Sequence, residues 1–245
     1  MLAVQEKNAD IKDNSISSVK LEQTDNTQRR LFSPILISHS FNLSKEKPIN
    51  WCLKRVFDLS ACIIGGLCIL PALILVAIAI KLDSKGPVIF KQKRVGKHGK
   101  EFYMYKFRSM TNDAELKLKE LNCFNEVDGC MFKMNNDPRV TRVGRFIRKF
   151  SIDELPQIFN VIKGDMSLVG PRPPIRRELA EYNDWHFVRF GTLPGLTGMW
   201  QVSGRSSITD FDKVVMLDYK YIKNWNFLLD LKLLLKTIPV VITGN

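Results

Sequence analysis
The longest apolar stretch of the chain runs from Leu59 to Ile80, about 22 residues without a charge, with Lys54-Arg55 before it and Lys81, Lys85, Lys91, Lys93 and Arg94 after it. At 1.5 Å per residue it matches a bilayer core of roughly 30 Å, so the pattern predicts a membrane segment. Pro71 lies inside the run and Gly65-Gly66 precedes it. Two arrangements fit: a re-entrant helix broken near Leu70-Pro71 with both ends on one face, or a spanning helix kinked at the proline. Basic flanks on both sides give no orientation.

Beyond Gly86-Pro87 the periodicity changes. Val88 to Arg94 and Glu101 to Arg108 are β-type runs joined by Gly96-Lys97-His98-Gly99, which predicts a β-hairpin. Lys91, Lys93, Arg94, Lys97, Lys100, Lys106 and Arg108 are interleaved there with Phe90, Phe102, Tyr103, Tyr105 and Phe107, a mixture that suits a lipid headgroup interface or a solvated hairpin face. Asn112 to Asn122 reads as a charged helix, Val127 to Pro138 as loop, and Arg139 to Lys149 as a basic helix or extended segment. Ile152 to Ile162 should be a short helix stopped at Gly164, and Pro171 to Pro174 must be extended. Pro194 to Arg205, with three glycines, reads as loop, and Asp210 to Asn224 as helix. Phe227 to Ile242, charged only at Asp230, Lys232 and Lys236, fits either an amphipathic helix at a membrane surface or a buried core helix.

Charge and cysteine usage narrow the chemistry. A formal charge of +12 and a pI near 9.5 call for an anionic partner: nucleic acid, an acidic membrane or a phosphorylated substrate. The five cysteines contain no CxxC pair, which argues against a zinc site or a disulfide scaffold. Residues 1–50 are polar and mixed in charge, as expected of a disordered tether.

The window Arg148-Lys149-Phe150-Ser151-Ile152-Asp153-Glu154-Leu155-Pro156-Gln157 places two adjacent carboxylates at a helix start behind basic residues. Free N–H groups and the helix dipole favour anions there and keep a carboxylate ionised, as a nucleophile must be. The same residues fit a capping box, Ser151-x-x-Glu154, or an N-cap at Asp153, so the window alone leaves both roles open. Downstream, Arg172 stands between Pro171 and Pro173, where a stiff backbone would fix its guanidinium for a diphosphate or simply form a rigid turn. Pro194 to Arg205 adds glycines, Trp200 and Arg205, a combination able to hold a nucleotide but common in loops.

Taken in order, the membrane segment, Lys106-Phe107-Arg108-Ser109-Met110, Asp137-Pro138-Arg139, the Ser151 to Gln157 window, Gly170 to Pro173 and Pro194 to Arg205 resemble the bacterial sugar transferase family, the monotopic polyprenyl-phosphate phosphoglycosyl transferases, over about residues 51–245. The resemblance implies an α+β, membrane-associated fold. Residues 51–85 would be the re-entrant helix-break-helix. Residues 86–225 would form a mainly helical cytoplasmic catalytic domain with a small β-hairpin, and 226–245 an interfacial amphipathic helix and C-terminus. It also implies a location on the cytoplasmic face of the bacterial inner membrane. The implied chemistry is transfer of a sugar 1-phosphate from a UDP-sugar, UDP-glucose or UDP-galactose first, to undecaprenyl phosphate, as the first membrane step of polysaccharide assembly. Asp153 would be the nucleophile, Glu154 would hold Mg²⁺, and Arg148 would contact phosphate. Lys106, Arg108, Pro171, Arg172, Pro173 and Arg205 would bind substrate. The implied partners are these substrates and membrane lipid, without nucleic acid, and a homo-oligomer is compatible with the sequence. Many members carry Ser-Pro at the helix break where this chain has Leu70-Pro71, so the hydroxyl that would bond a freed carbonyl is missing. The rival expectation is a non-catalytic basic protein that binds anionic lipid or nucleic acid at a membrane surface, for which Asp153 and Glu154 would be dispensable.

Overall fold
The structure, a computed structural model, describes residues 48–121, 134, 136–204 and 207–243. It opens with one long helix, α1 (Pro48–Asp83), and continues into a hairpin of β1 (Ile89–Val95) and β2 (Glu101–Phe107) closed by a 3-10 turn at Lys97–Gly99. Helices α2 (Ala114–Leu121) and α3 (Arg142–Lys149) follow, then a 3-10 segment at Ile152–Gln157 that passes directly into α4 (Ile158–Lys163). Strand β3 (Ser167–Val169) pairs in parallel with β4 (Gly195–Thr197), and between them lie two 3-10 segments, Arg176–Glu181 and Asp184–Gly191. The chain ends in α5 (Met199–Val202), α6 (Phe211–Lys223) and α7 (Phe227–Thr243).

Helix α1 carries Pro71 in its interior. It continues through Pro71 as one element of 36 residues, about 54 Å long at 1.5 Å per residue. A single proline removes one hydrogen bond, and the surrounding backbone groups keep theirs because an apolar setting offers no other partner. One side of α1 is attached to the rest of the molecule at both ends. Near its start, Lys54 ion-pairs with Asp230 of α7, Arg55 donates to the carbonyls of Val161 and Ile162, and the Asp58 carboxylate accepts from Ser167 Oγ and the Leu168 amide. Cys62 is buried with Phe102, Met104, Val161 and Met166. Near its end, Ile80 is buried with Phe107 and Ile147, and Leu73, Val76 and Ala77 pack against the same cluster. Asp83 there accepts from the Val143 amide. The opposite side exposes Ile63, Ile64, Leu67, Ile74, Leu75 and Ile78. Between Cys62 and Leu73 only about 16 Å of helix separates the two attachments, little more than half of the roughly 30 Å that a bilayer crossing requires.

The hairpin forms as expected, with register Ile89↔Phe107 to Val95↔Glu101. Its residues divide between two faces rather than facing one interface together. Phe102, Met104, Phe107, Arg94 and Arg108 are buried, whereas Phe90 and Tyr103 are exposed. Both faces are partly covered: Phe102 and Met104 pack with Cys62, Val161 and Met166, and Phe107, on the opposite face, packs with Ile80 and Ile147.

The loop expected at 194–205 instead contains β4 and α5. Its glycine is required by backbone contact: a Cβ on Gly195 would lie 2.0 Å from the amide nitrogen of Gly170. Gly164 ends α4 with φ 89°, the left-handed conformation expected of a helix stop. Helix α7 has features of both readings of its sequence, since Asp230 and Leu233 are buried while Leu228, Leu235, Ile238 and Ile242 are exposed. Tyr221 and Trp225 both donate to Asp230, and the Tyr221 hydroxyl and Lys54 ammonium share the Val169 carbonyl, so α1, α6, α7 and β3 meet at one buried carboxylate.

Removing the ammonium from this cluster strands a buried charge. Lys54→Met should destabilise the protein by about 3–5 kcal/mol, and Lys54→Met with Asp230→Asn should recover a large part of that loss. Thermal unfolding of the detergent-solubilised variants measures both, and equal losses in the single and double variants would contradict the assignment.

Candidate active site
Two segments determine where the carboxylate pair sits. Helix α3 begins at Thr141, whose hydroxyl accepts from the Gly144 amide, and runs to Lys149. The chain then reverses through Ser151 in the left-handed conformation (φ 55°) and enters the 3-10 segment carrying Asp153 and Glu154. The capping reading of this window fails: Ser151 makes no side-chain cap, Asp153 lies inside the segment, and the Glu154 carboxylate pairs with Lys106 at 2.7 Å. Asn160, one turn beyond, anchors the segment to β2 by accepting from the Tyr105 amide (3.0 Å) and donating to the Tyr103 carbonyl (2.7 Å). A fully buried Asn with both ends of its amide satisfied fixes the segment against the hairpin and thereby brings Lys106 to Glu154.

Asp153 and Glu154 open into a cleft of about 990 Å³, whose walls also include Lys106, Arg148, Arg172 and Pro173. Asp153 is 8% exposed, and burial pushes its carboxyl up to about 6. Lys106 and Arg148 pull in the opposite direction, and Glu154 adds to the upward shift. A carboxylate beside two cations and poorly hydrated is a stronger nucleophile than one in water, provided that it is ionised.

The other expected site residues have distinct fates. Arg108 reaches the cleft, but its guanidinium donates to the carbonyls of Ile80, Ser84 and Pro87 and to the Ser84 hydroxyl, closing the end of α1. The Ser84 and Pro87 carbonyls lie past the last residue of the helix, and Arg108 satisfies them there. Arg139 is similarly occupied, by Asp137 and the Ala114 carbonyl. Pro171 is buried behind the cleft, where its carbonyl accepts from Gly195 and ties the proline run to β4. Arg172 reaches the cleft and pairs with the buried Glu178 at 3.3 Å. Arg205 lies outside the described residues, as do residues 1–47 of the expected tether and most of the loop predicted from Val127 to Pro138.

Several residues that shape this site were not singled out from sequence. Arg189 ion-pairs with Asp218 (2.7 Å), donates to the Tyr182 hydroxyl (2.6 Å) and holds the Arg172 carbonyl (3.0 Å), so a buried network positions the proline run from beneath. The one available signal was a lone arginine inside the aromatic run Trp185 to Phe190. Glu178 also accepts from the Ile175 amide, and nothing in its local sequence marks it. Among the described residues no three His, Cys, Asp or Glu side chains converge as a metal cage. Magnesium does not require one, since one or two carboxylates with waters and phosphate oxygens suffice, and the Asp153-Glu154 pair fits that pattern.

The structure thus joins a helix with an exposed apolar side to a body whose cleft gathers cations around an adjacent carboxylate pair. The chain belongs to the bacterial sugar transferase family, whose model matches residues 49–244. It is 52% identical over 193 residues to the galactosyl transferase CpsE of Streptococcus agalactiae, covering 78% of this chain and 42% of that protein. It is 47% identical over 194 residues to the undecaprenyl-phosphate galactose phosphotransferase of Salmonella typhimurium, covering 78% and 40%. The exopolysaccharide production protein ExoY of Rhizobium meliloti is 39% identical over 199 residues, which cover 80% of this chain and 88% of that one. The chain thus spans about two fifths of the length of the first two relatives and most of the third.

Burial of Asp153 sets a pH dependence of stability. With a folded value near 6 against an ordinary 3.8, the penalty for its ionisation is absent below 3.8, grows between the two values and is complete above about 6. In magnesium-free buffer Asp153→Asn should therefore melt at a higher temperature than wild type at pH 7.5, with the gap closing toward pH 4. Differential scanning calorimetry across that range would show the opposite sign if the carboxylate were a stabilising ion-pair partner.

Proposed function
We propose that this protein transfers a sugar 1-phosphate from a UDP-sugar to undecaprenyl phosphate through a covalent aspartyl intermediate. The observation that carries the reading is the buried Asp153 carboxyl between Lys106 and Arg148 in a cleft large enough for a nucleotide diphosphate. Family membership and relatives named as galactose and glucose phosphotransferases acting with undecaprenyl phosphate support it. UDP-galactose and UDP-glucose are the donors we favour.

In the first step an Asp153 oxygen attacks the β-phosphorus of the donor. The bond from that phosphorus to the oxygen bridging the α-phosphate breaks, and UMP leaves with the electron pair. In the second, a phosphate oxygen of the lipid attacks the same phosphorus, the Asp153 oxygen departs as carboxylate, and a polyprenyl diphosphosugar forms. Lys106 and Arg148 supply fixed positive charge where negative charge accumulates on the transferring phosphoryl group. Glu154, with Asp153, would hold Mg²⁺, which when bound offsets the charge of the diphosphate. Two steps allow one cleft to serve two anionic substrates in turn.

In this reading helix α1 enters the inner membrane from the cytoplasmic face and returns to it. Attachment of both its ends to one body, with an exposed apolar side between them, supports this topology. In a variant lacking the native cysteines, single cysteines replacing Asn50 and Lys85 should both react with an impermeant maleimide from the cytoplasmic side only. Opposite sidedness would establish a spanning helix.

Incubation of the purified protein with Mg²⁺ and UDP-galactose or UDP-glucose labelled in the sugar and β-phosphate should leave label on the wild-type chain and none on Asp153→Asn. That variant should lose UMP release by at least about 10³-fold while remaining folded. UMP release dependent on lipid phosphate, without any adduct, would point to direct displacement. Retained function in Asp153→Asn would return the chain to a non-catalytic anion-binding role.

A further inference from the structure
Arg94 takes no part in the chemistry above, yet it reaches the cleft as a buried cation with 7% of its surface exposed. Its hydrogen bonds leave its charge unanswered. Nε and Nη2 both donate to Gln92 Oε1, at 3.1 and 2.6 Å, and Nη1 donates to the Pro173 carbonyl at 3.0 Å. These partners are neutral. A guanidinium has five N–H groups, so one on Nη1 and one on Nη2 remain after these bonds. Burial, and then the like charge of Arg172, push its pKa down to about 9. The Glu178 and Glu154 carboxylates act on it in the opposite direction, but each is engaged by another cation, Arg172 and Lys106, so a buried guanidinium with two N–H groups to spare can take a further anion directly.

The backbone around Arg94 restricts what that ligand can be. The Val95 amide donates to the Pro174 carbonyl at 2.9 Å, so the end of β1 and the proline run are joined by two successive bonds. The same run carries Arg172, which is held by Glu178 through its side chain and by Arg189 through its carbonyl. Two guanidiniums are therefore fixed on one rigid wall of the cleft that also holds Asp153. Planar, pre-oriented N–H forks with excess positive charge select a phosphate over a neutral group.

We propose that Arg94 and Arg172 form a phosphate subsite in the cleft, distinct from the Lys106 and Arg148 pair that flanks Asp153, and that this subsite holds the phosphate not undergoing transfer. It rests on the transferase reading for the identity of the phosphate, which belongs either to the departing nucleotide or to the lipid acceptor. The phosphate-binding property itself does not require that chemistry to occur.

Gln92→Glu tests the idea without creating a cavity, since it puts a carboxylate where Arg94 already donates two bonds. The detergent-solubilised variant should melt higher than wild type without ligand, because a carboxylate bonded directly to Arg94 is now built in. It should also bind UMP about tenfold more weakly, the effect of losing one charge-assisted contact. Uridine, which has no phosphate, should bind both forms equally. Arg94→Gln should show the same loss for UMP with uridine unchanged. A parallel titration with a short-chain polyprenyl phosphate identifies the source: weakening confined to UMP assigns the subsite to the nucleotide, and weakening confined to the lipid assigns it to the acceptor. Unchanged binding of both phosphates in both variants would overturn the proposal, and so would equal losses for UMP and uridine, which indicate a merely structural arginine. The titrations repeated on Asp153→Asn should give the same pattern, separating failure of this subsite from failure of the covalent route.

Discussion
An apolar helix can be joined to a polar body only if its polar ends are satisfied by that body, and α1 meets this condition at both ends. Lys54, Arg55 and Asp58 find partners on α7, α4 and β3, and Arg108 receives the carbonyls at the far end. Each of these groups would be costly if buried alone. The body therefore cannot leave the helix without exposing charges to hydrocarbon or opening its own core, and the cleft is held at a set distance from the exposed apolar side. In the proposed function this coupling would place the site beside the phase from which a lipid phosphate arrives.

The cleft follows a second constraint, that of holding like charges together. Lys106, Arg148, Arg172 and Arg94 all reach it, against the carboxylates of Asp153, Glu154 and Glu178. Lys106 is engaged by Glu154, and Arg172 by Glu178. Arg94 has only neutral partners among the described residues. Such a site is under electrostatic tension until an anion enters, which biases binding toward phosphates. The structure tolerates the tension because backbone held from below cannot relax: Asn160 secures the dyad segment to β2, and the Arg189–Asp218 pair secures the proline run.

Local patterns in the sequence read well where one physical cause dominates. The charge-free run at 59–80 is a single helix with an exposed apolar side, the alternation from 88 to 108 is a hairpin, and Gly164 stops a helix as its neighbours suggested. Reading failed where two causes share a motif. Ser151 and Glu154 match a capping box by spacing, but the left-handed turn at Ser151 removes the geometry and Lys106 takes the carboxylate. The glycines of 194–205 suggested a loop, whereas close backbone contact between Gly195 and Gly170 requires at least one of them.

The sequence by itself determined that an apolar helix precedes a basic, mixed α and β domain, and that Asp153 and Glu154 stand together behind Arg148. Those properties depend on composition, periodicity and near neighbours, which a linear chain records directly. Only the tertiary structure decided that Lys106 and Arg172 share the cleft of Asp153, that Arg108 serves a helix end, and that Arg94 is buried on neutral hydrogen-bond partners. A guanidinium has the same letter whether it holds a helix or awaits a ligand. Its role depends on partners tens of residues away, which spacing along the chain does not encode.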